Sequence, residues 1–225
     1  MDIRKLKTKL KKDLSHFRYD HSIRVAKEAK KLAKHYHIDK KKAYLTGLIH
    51  DIAKELTEEE NNYWIKKGNL SSDLQQEEYK NIKHADIGAI IAKEEYNLDN
   101  DICNAIKYHT IGNKDMDMLA KIIFIADKIG RKKIPEALKP VKKLAYQDID
   151  EALLYCLEKQ ETKLKDKGIK LHKDTKELLK KLLEVESNNG KLDEILNEEI
   201  KNDKTDKIVR GIIAVSYTHL RAHET

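Results

Sequence analysis

The amino-acid sequence predicts an all-α fold, from its composition and from its hydrophobic periodicity. Of the 225 residues, 38% are charged and 40% are apolar, whereas there are only 8 Gly and 2 Pro. This composition favours helices and supplies few turn residues for an all-β fold. Apolar residues recur at helical spacing in successive segments, and no segment alternates convincingly like a strand. The length suits one domain with a substantial core.

The helical segments follow one another along the chain with turn signals between them. In the first, apolar residues from Ile23 to Tyr36 recur at helical spacing with Lys and Glu between them. The same pattern predicts helices over residues 19–36, 40–50, 86–96, 101–109, 116–129, 148–165 and 175–186. Turn residues separate these segments near Gly68, Asn97 and Gly112, and between Pro135 and Pro140. We therefore expect a bundle of helices joined by loops.

Residues 1–187 are expected to form the packed domain. Ser187 to Gly190 predicts a linker, and residues 188–214 are polar, as in a linker or the start of another segment. Residues 215–225, VSYTHLRAHET, differ in composition from the rest and resemble translated sequencing adapter. We expect a non-native tail there and give its two histidines no role, although their four-residue spacing imitates a metal-binding pair.

Charge, cysteines and hydropathy limit the classes of partner. The net charge is +7, but 40 of the 46 basic residues are Lys spread along the chain, which indicates solvated helix faces that also attract an anionic substrate. We do not expect a nucleic-acid partner.

No apolar run approaches the roughly 18 residues of a membrane span, and the first residues lack a signal-peptide core. Cys103 and Cys156 form no CxxC pair. The sequence predicts a cytoplasmic protein without a membrane partner.

Six side chains at the edges of apolar helical segments are candidate metal ligands. Each alone is more readily explained as a helix-end residue bonded to backbone, and a His-Asp dipeptide is expected about once by chance in such a composition. Together they offer imidazoles and carboxylates without thiolate, a set that favours iron, manganese or a similar divalent metal over structural zinc. The candidate ligands are His21, His50, Asp51, His84, His109 and Asp127.

Six ligands are more than one ion usually needs, so we expect two divalent metal ions. If Asp51 bridges them, His21, His50 and Asp127 can hold one ion while His84 and His109 hold the other. Two ions about 3.5–4 Å apart clamp the attacking and leaving oxygens of a phosphoryl group, and a hydroxide shared between them is then the nucleophile.

Three basic residues are placed to bind phosphate near the candidate ligands. Arg18, Lys54 and Arg131 each lie about one helical turn from one of them. The alternative for each is a solvent-facing charge in a lysine-rich chain. The sequence therefore predicts a metal-dependent phosphohydrolase whose substrate is anionic.

Five motifs, in this order, resemble those of the HD superfamily, and most closely those of its YqeK family of bacterial symmetrical diadenosine tetraphosphatases. The motifs are RYDHSIRVA, TGLIHDIAK, HADIGAIIA, AIKYHTIG and FIADKI. The resemblance covers roughly residues 3–185. It implies an HD-domain helical bundle with a di-iron centre and cleavage of diadenosine tetraphosphate at its central linkage to two ADP. It also implies the same six metal ligands. We expect Asp51, as the bridging ligand, and Lys54, four residues after His50, to act in catalysis. A homodimer is left open.

Two further motifs bear on the substrate. Thr110 and Gly112 match the family's His-Thr-x-Gly turn, where the resemblance implies contact with substrate or water, whereas Thr175 matches a late motif with a structural role. After the metal aspartate the family commonly has Ile-Glu-Pro and then an arginine two residues later, whereas this chain continues with Ile129 to Lys133. Strict register puts Lys133 at the arginine position. Either Arg131 or Lys133 therefore contacts phosphate.

Two alternatives stay open at this point. One is an HD phosphohydrolase acting on another nucleotide, because such sites share metal chemistry and differ in the pocket. The other is a non-catalytic helical module that binds RNA or a ribosomal partner through its basic surface. Metal content discriminates this second alternative, since a binding module should purify without metal.

Overall fold

The computed structural model of the chain describes the backbone of residues 2–71 and 80–202, and side chains up to residue 188. Within these ranges there are ten α-helices, a short 3-10 helix at Glu136–Leu138 and no strand, which confirms the predicted all-α class. The helices are α1 Ile3–Asp13, α2 His16–His35, α3 Lys40–Ile49, α4 Glu58–Lys67, α5 Lys83–Glu94, α6 Asn100–Tyr108, α7 Met118–Ile129, α8 Val141–Leu144, α9 Ile149–Lys165 and α10 Lys173–Asn202.

Two of the longer helices were not expected from the sequence. In α1 the Asp2 side chain caps the first turn by accepting from the backbone N–H of Arg4, and only Leu6 and Leu10 are buried. In α4 a capping box joins Thr57 and Glu60, and the helix packs Trp64 against a small cluster that includes part of α5. In α1 the apolar residues Ile3, Leu6 and Leu10 recur at helical spacing, a signal that the sequence analysis missed, whereas α4 buries only Trp64 and Ile65 among its apolar side chains.

The linker predicted at Ser187 to Gly190 lies within α10, which continues through this stretch as helix. Apolar residues resume helical spacing at Leu192, and one interior glycine costs a helix only about 1 kcal/mol. By contact pattern the chain divides into a compact unit Met1–Leu179 and a second unit Lys180–Thr225. The domain boundary at 187 stays a prediction. The expected tail, residues 215–225, lies outside the described residues.

Helix α7 is the centre of the first unit. Eight of its side chains are buried, on all sides of the helix, as expected for a helix enclosed by others. It contacts α2, α3, α6, α8 and α9, while α2 packs along α3 and α5 packs along α6. These contacts place the C-terminal ends of α3, α6 and α7 near the N-terminal half of α2.

Two glycines allow close approach to α2. A Cβ atom at Gly47 of α3 would lie 2.7 Å from the Cα atom of Ala26, and one at Gly130, after α7, would lie 3.0 Å from the Cα atom of Val25. The Nε of Arg24 also donates a hydrogen bond to the carbonyl of Gly130, at 3.0 Å. The ends of α3 and α7 are therefore held against α2 at backbone-contact distance.

None of the described helices combines the length and hydropathy that a membrane-spanning helix needs. Both cysteines are free thiols. Burial raises the pKa of Cys156 to about 11, so this side chain is a neutral part of the core.

Candidate metal centre

The structure brings the six candidate ligands together from five helices. His21 lies in α2, His50 and Asp51 directly follow α3, and His84 is in the first turn of α5. His109 follows α6, and Asp127 is in the last turn of α7. All are buried except Asp127, whose side chain is 14% exposed. The fold thus gathers residues up to 106 positions apart into one water-poor cluster.

The two carboxylate oxygens of Asp51 face different pairs of imidazoles. Its Oδ1 lies 3.3 Å from Nε2 of His84 and 3.4 Å from Nε2 of His109. Its Oδ2 lies 3.4 Å from Nε2 of His50 and 3.8 Å from Nε2 of His21. The donor atoms therefore form two groups of three that share Asp51.

Asp127 lies beside the first group. Its Oδ1 is 3.0 Å from Nε2 of His21 and 3.8 Å from Nε2 of His50. With Asp51, this side of the cluster offers two imidazoles and two carboxylates, and the other offers two imidazoles and one shared carboxylate. These two sets of side chains are the ones that the sequence analysis assigned to two separate metal ions.

The ring orientations suit metal binding. Nδ1 of His50 lies 2.9 Å from the carbonyl of Gly47, and Nδ1 of His109 lies 2.6 Å from the carbonyl of Ile106. Because a carbonyl oxygen only accepts, each Nδ1 must carry the proton, which leaves Nε2 with a free lone pair in the neutral ring. Nε2 of His50 is buried and has no hydrogen-bond partner. A cation between these groups would satisfy that atom, so the residues fit a divalent metal.

The charge states of His84 and Asp51 also suit metal binding. Burial lowers the pKa of His84 to about 4, so its imidazole is neutral. Burial acts to raise the pKa of Asp51, but nearby His50 and hydrogen bonds with the surrounding imidazoles hold it well below its ordinary value. Asp51 is therefore a carboxylate at neutral pH. Burial acts to lower the pKa of His50, but the nearby carboxylates of Asp51 and Asp127 raise it above its ordinary value, so a metal that binds Nε2 of His50 would compete with a proton.

Three cationic side chains lie against the cluster. Arg18 Nη1 is 2.6 Å from Oδ2 of Asp51, and Lys54 Nζ is 3.1 Å from Nδ1 of His84. Burial lowers the pKa of Lys54. The third is Lys128, which the sequence analysis missed: its Nζ is 2.9 Å from Oδ2 of Asp127, and its side chain is only 12% exposed. Adjacency to a candidate ligand was its one signal in the sequence.

The two other cations expected to contact phosphate, Arg131 and Lys133, do not lie against the cluster in the described contacts. Arg131 and Lys133 are exposed on the loop after α7, and in the described part of the chain the cation that pairs with Asp127 is Lys128. A phosphate contact by Arg131 or Lys133 stays a prediction.

The conformation of the turn after His109 depends on a glycine within the turn and on a hydrogen bond from α10. Gly112 has φ of +71°, which explains the glycine, and the hydroxyl of Thr175 donates to the carbonyl of Ile111 at 2.7 Å. The hydroxyl of Thr110 is buried without a partner. Thr110 can therefore offer a hydrogen bond to a substrate, whereas Gly112 has a conformational role.

Comparison with known proteins agrees with this geometry. The HD domain family model matches residues 18–132, a range that contains all six candidate ligands. The chain is 32% identical over 167 residues to the symmetrical bis(5'-nucleosyl)-tetraphosphatase of Bacillus subtilis, covering 74% of this chain and 89% of that protein. It is 35% identical over 147 residues to the protein of the same name from Staphylococcus aureus, covering 65% and 75%.

A solved structure gives the same result for the fold. It is a crystal structure of a predicted HD superfamily hydrolase involved in NAD metabolism from Clostridium acetobutylicum, 31% identical, with a TM-score of 0.74, and the match covers 82% of this chain and 98% of that one. By sequence and by structure, the chain belongs to the HD domain family.

Proposed function

We propose that this protein hydrolyses diadenosine tetraphosphate symmetrically to two ADP with two divalent metal ions, and that iron is the native metal. One observation carries the proposal: the two oxygens of Asp51 face two separate pairs of imidazoles. This arrangement offers adjacent sites for two cations bridged by one carboxylate. The names of the bacterial relatives supply the substrate, and manganese or another divalent metal is the alternative cofactor.

The distances support an assignment of ligand roles. We propose that His21, His50, Asp127 and Oδ2 of Asp51 would hold one ion, and that His84, His109 and Oδ1 of Asp51 would hold the other. When bound, such ions polarise the phosphoryl oxygens and activate water for attack. The protein contributes fixed geometry, because the backbone hydrogen bonds of His50 and His109 keep each Nε2 turned toward Asp51.

The cations around the cluster serve the substrate. Arg18, Lys54 and Lys128 lie within hydrogen-bond distance of candidate ligands, so a phosphate chain reaching the metals passes among them. The planar guanidinium of Arg18 can bind two phosphate oxygens at once, and the ammonium groups offset the charge that develops in the transition state. The free hydroxyl of Thr110 is proposed to contact the same chain.

The reaction is proposed to take place in the cytoplasm. Two free thiols suit a reducing compartment. A homodimer remains a prediction, which light scattering on the purified protein would test.

The deciding experiment is a nucleotide screen with metal-reconstituted protein and identification of products by chromatography. ADP as the sole product from diadenosine tetraphosphate supports the proposal, whereas AMP plus ATP would mean asymmetric attack. Faster cleavage of another nucleotide would support the HD enzyme with a different substrate. Protein that binds no metal and cleaves nothing would favour the RNA-binding module.

Side-chain substitutions test the phosphate contacts. Arg18→Ala and Lys54→Ala should each lower kcat/KM about 10- to 1000-fold, the loss expected for one transition-state contact. Metal content should be unchanged, since neither cation is a plausible ligand. Lys30→Ala, an exposed lysine elsewhere on α2, is the control and should match the wild type. Variants of Arg18 and Lys54 that match this control would overturn the assignment.

A further inference from the structure

Glu55 is a carboxylate that lies beside the candidate metal centre but contacts none of the six candidate ligands directly in the described contacts. It ends the turn that follows Asp51, one residue after Lys54. Both of its oxygens are bound by Ser15, the N-cap residue of α2. The backbone N–H of Ser15 donates to Oε2 at 2.7 Å, and its hydroxyl donates to Oε1 at 2.7 Å. Glu55 is therefore anchored to the first turn of α2.

The same turn carries Arg18. Its backbone N–H donates to the hydroxyl of Ser15 at 3.2 Å, so Ser15 links the backbone of Arg18 to the carboxylate of Glu55. The Nε of Arg18 lies 4.0 Å from Oε1 of Glu55 and is buried without a hydrogen-bond partner. Its Nη1 lies 2.6 Å from Asp51. The guanidinium thus lies between two carboxylates, one in the cluster and one outside it.

This arrangement limits where the guanidinium can go. A long arginine side chain loses much rotational freedom when it is held for a ligand, and prior ordering lowers that cost at the time of binding. The carboxylate of Glu55 attracts the inner end of the guanidinium at Nε, and the outer nitrogens remain directed to the cluster. Because Ser15 holds Glu55 against the first turn of α2, the carboxylate of Glu55 keeps one position relative to the guanidinium of Arg18.

We infer that Glu55 is a positioning residue that holds Arg18 at the metal centre, oriented to receive a phosphate group of the substrate. The inference rests on the proposed function, in which Arg18 binds phosphate. Glu55 itself does not touch the substrate, since its oxygens are turned toward Ser15 and Arg18. Its effect on turnover therefore passes entirely through Arg18.

The test is a double-mutant cycle on metal-loaded, full-length protein, with Glu55→Gln, Arg18→Ala and the two combined. Glutamine keeps the shape and an acceptor for Ser15 while it removes the charge. Glu55→Gln should raise the KM for diadenosine tetraphosphate about 3- to 10-fold with unchanged metal content. The double variant should equal Arg18→Ala alone. Glu59→Gln, an exposed acid in α4, is the matched control and should have no effect.

A structural role for Glu55 would give a different result. If Glu55 only capped α2, its substitution would lower the unfolding temperature and add its full effect to that of Arg18→Ala. Additive effects, or a Glu55→Gln variant that matches the wild type, would overturn the inference while leaving the phosphate role of Arg18 intact. An Arg18→Ala variant with wild-type kinetics would overturn both the phosphate role and the inference.

The same cycle can be measured without the nucleotide. Binding of inorganic tripolyphosphate to the four metal-loaded proteins, measured by calorimetry, should weaken in Glu55→Gln and weaken no further when Glu55→Gln is added to Arg18→Ala. Failure to cleave diadenosine tetraphosphate would then overturn the proposed function alone. Absence of coupling in tripolyphosphate binding would overturn the positioning role.

Discussion

Replacing Gly47 with alanine is expected to destabilise the protein and to loosen the metal centre. An ideal Cβ there would lie 2.7 Å from the Cα atom of Ala26, 2.9 Å from its nitrogen and 3.2 Å from the carbonyl carbon of Val25. All three are backbone atoms, so no side-chain rotation relieves the overlap. Ordinary contact begins at 3.4 Å, and α2 and α3 must therefore separate locally by about 0.7 Å, the difference from 2.7 Å.

The expected loss of folding stability in Gly47→Ala is the difference between two opposing contributions. Overpacking a close contact costs about 1–3 kcal/mol, and contact with backbone belongs at the upper end. Alanine stabilises a helix by about 1 kcal/mol over glycine, which leaves a net loss of about 2 kcal/mol. For a chain of this length that lowers the unfolding midpoint by about 4–8 °C. The carbonyl of Gly47 also orients His50, so metal affinity should fall about 10-fold or more.

The assay is thermal unfolding by circular dichroism without metal, followed by metal titration. Gly88→Ala in α5 is the matched control, because its Cβ would lie 3.2 Å from the Cγ2 methyl of the Ile106 side chain and not from backbone, so a shift of about 0.2 Å restores ordinary contact. We expect that variant to stay within about 1 kcal/mol of the wild type. A Gly47→Ala protein as stable as Gly88→Ala, with unchanged metal affinity, would refute the argument that glycine sets the spacing of α2 and α3.

Four further variants test the site and the domain boundary. Asp51→Ala should abolish hydrolysis and lose metal with little change in helix content, because neither ion is then held correctly; an active, metal-loaded variant would refute the two-metal arrangement. Lys128→Ala should lower kcat/KM about 10-fold or more and Arg131→Ala should have the smaller effect, so the opposite order would contradict the site geometry. Truncation after residue 187 should preserve turnover, and a truncated protein that unfolds would place the boundary later.

The helices that carry the ligands could be predicted because each buries a continuous apolar face. In α7 eight buried residues lie within twelve positions, and such a pattern is unambiguous. In α1 the apolar residues Ile3, Leu6 and Leu10 recur at helical spacing among lysines, and the sequence analysis overlooked this signal. For α4 the missed signal was local: Thr57 and Glu60 have the spacing of a capping box, which marks a helix start even where the apolar pattern is weak.

The cations of the site show where helical spacing fails as a guide. Arg131 was expected near Asp127 because residues four apart share a helix face, but α7 ends at Ile129 and Arg131 lies beyond it. Lys128 has a long stem, and its Nζ lies 4.5 Å from the ring centre of Phe124, on the preceding turn, and 2.9 Å from Asp127. A flexible side chain next to a ligand can thus reach it despite unfavourable spacing. Glu55 depends on tertiary packing alone.

The helix ends add an electrostatic reason for the position of the metal centre. His50 and His109 are the C-cap residues of α3 and α6, and Asp127 lies in the last turn of α7, so three C-terminal ends converge on the cluster. The partial negative charge of a helix C-terminus favours a nearby cation by about 0.3–1 kcal/mol at each end.

Two helix N-termini face the cluster with the opposite polarity. His84 lies in the first turn of α5, where the positive end of the helix disfavours a protonated imidazole and so reinforces the effect of burial in keeping this ring a neutral ligand. Arg18 lies in the first turn of α2, where the same polarity adds to its own charge. Three helix ends at the cluster therefore favour cations, and the two N-terminal ends favour anions such as the phosphates of the proposed substrate. This separation of charge follows from the direction in which each helix runs, before any side chain is considered.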